Sequence, residues 1–351
     1  MERLTHEVLF VSDARETRGS ETYLREVLPR LRIAGLDVAA AFPEAQGNER
    51  VRMSLADQGV PVLTYANLRS LTVTARVTIL QCYRSSTYAE ALSDLSGPLG
   101  TIIHDQLYVR HPLPWVETLN RERYLRFFAP WLRKLSLVIT VSHWAARELD
   151  QSFGVPDVVS VPNGVDVERF RPASPEERRT MREKLGFMGY DVVVPGKIGY
   201  EKNQLAVVLA AHRLPDVTFH MLGSGDIEPM LRAIAPKNVS WLGYQTMPER
   251  ILQAADAMCL MTRGENQSLA TLEAMAVGLP VVTSTIPAQK ELIRDGETGL
   301  TVDDTVEGIQ RIKNDPVLAA QLGSAARSEV LAHHRIEQTV NRLLDVLSPW
   351  R

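Results

Sequence analysis

Lysine and cysteine are both scarce in this chain of 351 residues. Cysteine occurs only as Cys82 and Cys259, too few for a disulfide framework or a zinc-binding spacing. There is no D-x-D triplet, so nothing in the sequence suggests that a divalent cation carries a diphosphate. No run of eighteen apolar residues occurs, which argues against a spanning helix. The apolar run in "MERLTHEVLFVSD" is too short for a secretory signal. No strand-like segment is followed by G-x-G-x-x-G, which disfavours a dinucleotide oxidoreductase. A net charge of −3 gives no bulk electrostatic reason to bind nucleic acid. We expect a cytoplasmic protein with no metal, no cofactor and no nucleic-acid partner. Of the 39 basic residues, 7 are Lys and 32 Arg, and Lys134 is the single lysine before residue 180. Each lysine is therefore worth inspecting.

What is present is alternation. "EVLFVS", "DVAAAF", "VPVL", "VTILQC", "LGTIIHD", "LVITVS" and "VVSVPNGVD" read as strands. Helix-periodic stretches such as "SETYLREVLPRLRIAG" separate them. A polar, Pro-bearing stretch around residues 164–175 suggests a boundary. The pattern then repeats with "YDVVVPG", "VTFHMLG", "VSWLG", "AMCLM" and "PVVTS". Such a chain is α/β: two doubly wound, mainly parallel sheets with helices on both faces. Two domains of this kind would leave a cleft between them.

The most informative stretch is "GENQSLATLEAMAVGLP", residues 264–280. Ser268 is a good N-cap. Leu269, Leu272, Glu273 and Ala276 then share one helix face, so Glu273 takes a core or rim position. A carboxylate there needs donors, from the chain or from a ligand with adjacent hydroxyls. The helix follows a strand, and its loop leaves that strand's carboxyl end, where open α/β sheets bind ligands. "PGKIGYEKN", residues 195–203, also follows a strand. Lys197 and Lys202 flank its turn near a helix start, an arrangement suited to phosphate, although two solvated loop lysines are the plainer alternative. "FVSDARETRGSETYLREVL" places Gly19 at another strand-to-helix turn, which by itself reads as an ordinary connection. His104 and Asp105 end a strand. In residues 121–135 arginines alternate with Tyr124, Phe127, Phe128 and Trp131. We read these aromatics as a helix's core face bent at Pro130, with a membrane-surface helix as the alternative.

Together these motifs resemble the retaining glycosyltransferases of family 4, with the GT-B fold: two Rossmann-like, doubly wound domains facing a central cleft. "EN-Q-S-L-ATLEAMAVGLPVVTS" resembles the family's E-x7-E motif and its continuation. "GKIGYEKN" resembles GR-x-x-x-EKG, and "NVSWLGY", "DGETGLTV" and "VVSVPNGVDVERFRP" match further family stretches. The resemblance implies an N-terminal, acceptor-side domain over 1–168. It implies a donor-side domain over 169–335, and a helix over 336–351 packing back toward the first domain. It implies that Glu273 holds the donor ribose hydroxyls and that Glu265 contacts the donor sugar. Asn266, Gln267, Ser268 and Leu269 offer backbone amides, Lys197 and Lys202 neutralise the departing diphosphate, and Gly19 lets the backbone approach it. His104 lies by the reacting sugar carbon, and Trp241 lines the base. The catalytic set is thus His104, Glu265 and Lys202.

The implied activity is transfer of a hexosyl or related sugar from a nucleotide-sugar donor to an acceptor hydroxyl, with retention. The acceptor is a saccharide, a glycolipid or a small-molecule aglycone. The sequence departs from the family at Lys197, where Arg is usual, and at Asn266-Gln267-Ser268, where the family has G-F-G. It has one Gly in the N-terminal loop, and no Gly pair before Glu291. These departures bear on donor identity. The rival readings are a nucleotide-sugar-binding protein without turnover and a sugar-nucleotide epimerase.

Overall fold

The computed structural model of the protein describes residues 5–16, 19–71, 73–107 and 109–351. Strands and helices alternate from the start: β1 (Thr5–Ser12), α1 (Gly19–Ile33), β2 (Val38–Pro43), α2 (Glu49–Asp57), β3 (Val62–Tyr65), β4 (Thr74–Gln81), α3 (Ser85–Asp94) and β5 (Leu99–Ile103). Two helices, α4 (Pro114–Phe127) and α5 (Ala129–Leu132), precede β6 (Leu137–Thr140), α6 (His143–Gln151) and β7 (Val158–Ser160). The second half continues with α7 (Pro175–Leu185), β8 (Tyr190–Pro195), α8 (Gln204–Ala211), β9 (Val217–Leu222), α9 (Glu228–Ile234) and β10 (Val239–Trp241). It goes on through α10 (Pro248–Ala254), β11 (Ala257–Leu260), α11 (Leu269–Ala276), β12 (Val281–Ser284), α12 (Pro287–Leu292) and β13 (Leu300–Val302). The chain closes with α13 (Thr305–Asn314), α14 (Pro316–His333) and α15 (Ile336–Leu347).

The chain divides into two compact units. One holds residues 1–108, 114–163 and 336–351, the other 109–113 and 164–335. The division falls at 163/164 rather than 168/169, because Val165, Val167 and Phe170 pack into the second unit's core. The short strap 109–113 groups with the second unit although the chain on both sides of it belongs to the first.

The first unit is built on a seven-stranded sheet in the order β3-β2-β1-β4-β5-β6-β7, with parallel pairing throughout. β2 and β5 are buried along their whole length, as strands covered on both faces must be. α15 closes one face: Ile336, Val340, Leu343 and Leu347 join the core made by Tyr23, Leu24, Val27 and Leu31 of α1. The aromatic stretch forms two helices that break at Phe128, with Pro130 in the first turn of the second. Tyr124, Phe128 and Trp131 pack against the core as expected, whereas Phe127 is half exposed.

The second unit has a six-stranded sheet in the order β10-β9-β8-β11-β12-β13, again parallel. Sequence signals set α7 cleanly: Ser174 and Glu177 form a capping box, Pro175 opens the helix, and Gly186 ends it at φ 70°, each in its favoured place. A charge network ties α7 to the amino ends of β8 and β11. Arg182 bridges Asp191 and Asp256 at 2.9 and 3.0 Å, and buried His220 bonds Asp191 at 2.8 Å. These charges lie at the opposite ends of the strands from the loops that carry the candidate residues.

Candidate active site

The second unit winds outward from β8 through β9 to β10, then returns to β11 on the other side of β8. The loops leaving the carboxyl ends of β8 and β11 therefore sit side by side at the switch point, where doubly wound sheets take ligands. Residues 196–203 leave β8 and residues 261–268 leave β11. The two motifs singled out in the sequence thus flank one switch point, although 61 positions separate Glu201 from the Thr262 hydroxyl that donates to its carbonyl at 3.0 Å.

Backbone and side-chain bonds stitch these loops together. The Arg263 N–H donates to the Glu201 carbonyl at 2.7 Å. Asn203 Nδ2 donates to the Met261 carbonyl at 3.0 Å. Asn203 stands where the family pattern has Gly and adopts φ 55°, a left-handed conformation that Asn tolerates better than most residues. Lys202, on this scaffold, makes an ion pair with Glu265. Glu265 is 8% exposed, so the pair removes two charges from water and balances one with the other. Lys197 is more open and pairs with Asp226 at 3.5 Å.

The Ser268 hydroxyl accepts the Thr271 N–H at 3.1 Å, capping α11 as the sequence predicts. Thr271, Leu272, Ala274, Met275 and Ala276 are buried and Glu273 is half-buried, a rim position. Asn266, Gln267 and Ser268 are buried beside Glu265, and Leu269 is half-buried. Trp241 ends β10, the edge strand, two strands from the switch point, with the Arg232 guanidinium 4.7 Å above its ring.

Several neighbours of this switch point were not singled out in the sequence. Gly223 and Gly225 follow β9, and side chains there would collide with the β8 loop: a Cβ would lie 2.2 Å from the Gly196 carbonyl and 2.0 Å from that of Ile198. The string "GSGD" after a strand was the available signal. Arg263 lies over the Tyr200 ring at 4.2 Å, and the strap's Arg110 donates its N–H to the Arg263 carbonyl at 2.7 Å. That strap contact is tertiary, and no local pattern announces it.

In the first unit the winding reverses between β1 and β4. Asp13, after β1, accepts the Tyr83 and Arg84 N–H groups at 2.9 and 3.1 Å and the Thr87 hydroxyl at 2.8 Å, joining the two loops. Gly19 opens α1, and an added Cβ would meet no atom within 4 Å. Thr17 and Arg18 of its loop lie outside the described residues. His104 follows β5, and burial pushes its imidazole down to about 3. Both cysteines are free and buried, and burial pushes their thiols up, Cys259 to about 12. Neither is a nucleophile at neutral pH. Among the described residues no cluster of metal-ligating side chains forms and no helix is long and apolar enough to cross a membrane.

Two parallel α/β units of this kind define the GT-B class of glycosyltransferase folds. Solved structures agree: Anabaena HepE in complex with UDP and glucose superposes with a TM-score of 0.83 at 17% identity, covering 98% of this chain and 99% of that one. Sucrose-phosphate synthase from Thermosynechococcus elongatus gives 0.79 at 17% identity, covering 99% of each. The chain belongs to glycosyltransferase family 4: the family model "Glycosyltransferase Family 4" matches residues 17–169 and "Glycosyl transferases group 1" matches residues 189–314.

Among curated relatives, a GDP-mannose-dependent monoacylated alpha-(1-6)-phosphatidylinositol monomannoside mannosyltransferase of Corynebacterium glutamicum is 34% identical over 245 residues, 62% of this chain and 64% of that protein. An Escherichia coli UDP-Gal:alpha-D-GlcNAc-diphosphoundecaprenol alpha-1,3-galactosyltransferase is 27% identical over 206 residues, 53% of this chain and 52% of the relative. These matches span between about half and two thirds of the relatives' lengths.

Proposed function

We propose that the protein is a retaining glycosyltransferase that moves a sugar from a nucleotide-sugar donor to an acceptor hydroxyl. The observation that carries this reading is the pairing of a lysine-bearing loop with an E-x7-E loop and helix across the switch point of the second unit's sheet. Glu273 on the rim of α11 binds the ribose diol. Glu265 contacts the sugar, with backbone amides of residues 266–269 around it. Lys197 and Lys202 face the diphosphate, Gly19 gives it backbone access, Trp241 lines the base, and His104 of the first unit stands by the reacting carbon.

In the reaction the bond between the anomeric carbon and the diphosphate oxygen breaks as the acceptor oxygen bonds that carbon from the same face. The acceptor's proton passes to the departing diphosphate. Negative charge grows on the leaving oxygen, and fixed cations and helix N-termini stabilise it without reorganising. The reading needs neither a metal ion nor a protein nucleophile. The relatives' acceptors, phosphatidylinositol mannosides and a diphosphoundecaprenol sugar, favour a glycolipid acceptor, and the reading keeps the protein in the cytoplasm. A thermal-shift screen of GDP- and UDP-sugars, followed by donor hydrolysis and transfer assays on the stabilising donor, tests it. If no nucleotide sugar raises the melting temperature or turns over, the reading is wrong. If a donor binds but is converted to an isomer, the protein is an epimerase instead.

A further inference from the structure

Two polar atoms of the first unit, on rings in mutual contact, are buried with no hydrogen-bond partner among the described residues. They are the Tyr23 hydroxyl and His104 Nε2. The ring centroids lie 4.6 Å apart at 60°, an edge-on contact. Tyr23 is 2% exposed, near the start of α1. That start is anchored by Glu21, which has no exposed surface. Its carboxylate accepts Ser12 Oγ at 3.1 Å, Ser20 Oγ at 3.0 Å, Tyr83 OH at 3.3 Å and Gln81 Nε2 at 3.5 Å. These bonds fix the turn from which Tyr23 projects to β1 and β4. Leaving two neighbouring polar atoms dry and unpaired is costly unless something else supplies the bond.

We propose that Tyr23 is a positioning residue for sugar transfer: its ring, held edge-on to His104, keeps water off the imidazole and leaves Nε2 with no competing partner among the described residues, so that its one hydrogen bond is kept for a hydroxyl of the donor sugar. The inference rests on the reading of His104 given above. Its chemical sense follows from the direction of charge flow. As the glycosidic bond breaks, positive charge grows on the sugar ring while negative charge grows on the diphosphate. An imidazolium beside the sugar would oppose the first of these, and a neutral imidazole does not.

Burial alone drives the His104 imidazole down, with no charged group contributing. The titratable group facing it from α1 is Tyr23 itself, whose phenol burial holds protonated. Glu21 is committed to the four donors above, and Asp105 is the next residue in the chain. With Tyr23 in place His104 stays neutral throughout the working range. If Tyr23 is removed, water reaches the ring and its pKa climbs toward the ordinary value of about 6.5.

The test is titration of the His104 Cε1 proton by NMR in the full chain, assigned by comparison with His104→Gln, beside the pH profile of kcat/KM. The wild-type ring should show no titration down to about pH 5, and Tyr23→Phe, which keeps the ring, should behave alike. Tyr23→Ser should bring the titration near pH 6 and raise the acid limb of kcat/KM by about two pH units. If Tyr23→Ser does not fold, Tyr23→Leu keeps the apolar bulk, bares the imidazole edge, and should give the same shift. A wild-type ring that titrates near pH 6.5, or a Tyr23 variant that loses activity equally at every pH with His104 unmoved, overturns the proposal. The underlying reading fails separately: His104→Ala with unchanged turnover would remove His104 from the reaction while leaving the titrations intact.

Discussion

The two units prepare their candidate residues in opposite ways. In the second unit charge is already paired with charge: Lys202 with buried Glu265, and Lys197 with Asp226. In the first unit His104 Nε2 and the Tyr23 hydroxyl are uncharged and have no partner among the described residues. On the reading proposed above, a diphosphate at Lys202 would have to displace Glu265 from an existing ion pair, whereas a sugar hydroxyl at His104 would displace no partner found among the described residues. On that reading the second unit would stabilise the leaving group's charge and the first would orient the sugar.

The largest effect expected from breaking this contrast is at Lys202. Lys202→Ala should lower kcat about 10²–10³-fold, by analogy with a lost oxyanion donor, and should do so more in kcat than in KM. It also strands Glu265 as a buried, unpaired carboxylate. The double variant Lys202→Ala/Glu265→Ala sharpens the point. Thermal stability should recover in the double variant and turnover should not. Recovery of both would mean that the lysine only balances Glu265. Normal turnover in Lys202→Ala would return these lysines to solvated loop residues.

Glu273 comes next. Replacing it with Ala should remove charge-assisted hydrogen bonds to the ribose worth roughly 1.5–3 kcal/mol each before compensation. Nucleotide affinity measured by calorimetry should fall about ten- to a hundredfold with native circular dichroism retained. Unchanged affinity would remove the ribose assignment.

Lys197 should matter less, because its side chain is 42% exposed and its partner Asp226 is 90% exposed. Lys197→Ala should be impaired, whereas Lys197→Arg keeps the charge and should retain substantial activity. Inactivity of the Arg variant would show that the shorter side chain is matched to this donor site. The smallest effect expected is that of EDTA, which should leave transfer rates unchanged. Loss of activity restored by Mn²⁺ would reveal a metal where the lysines are now given that role.

Much of this arrangement is legible in the sequence because burial and local hydrogen bonding leave marks in residue order. The alternation of apolar runs and periodic helices announces two parallel sheets. Ser268 announces the start of α11, and the break before Pro130 is announced by the proline itself. Helical spacing puts Glu273 on the core or rim face, and the structure places it on the rim. What stays hidden depends on contacts between distant residues. Tyr23 meets His104 across 81 positions, and no pattern of spacing encodes that. Arg110 joins the second unit because its backbone finds Arg263, although its neighbours in the chain belong to the first. The chain passes to the second unit at 163/164 because Val165, Val167 and Phe170, inside the polar stretch, pack into that unit's core. Asn203 stands where the family motif has Gly and takes the left-handed conformation itself.

The helix α15 carries a consequence for how the molecule is made. It completes the first unit's core, with Ile336, Val340, Leu343 and Leu347 packed among side chains of α1, yet the ribosome produces it only after all of residues 164–335. At about 5–20 residues per second, the nascent first unit waits on the order of ten to thirty seconds with that apolar face uncovered. The second unit is contiguous apart from five residues made earlier, and can close before α15 emerges. The first unit, begun first, therefore completes its core last. During that interval the apolar side chains of α1 that α15 will cover face water.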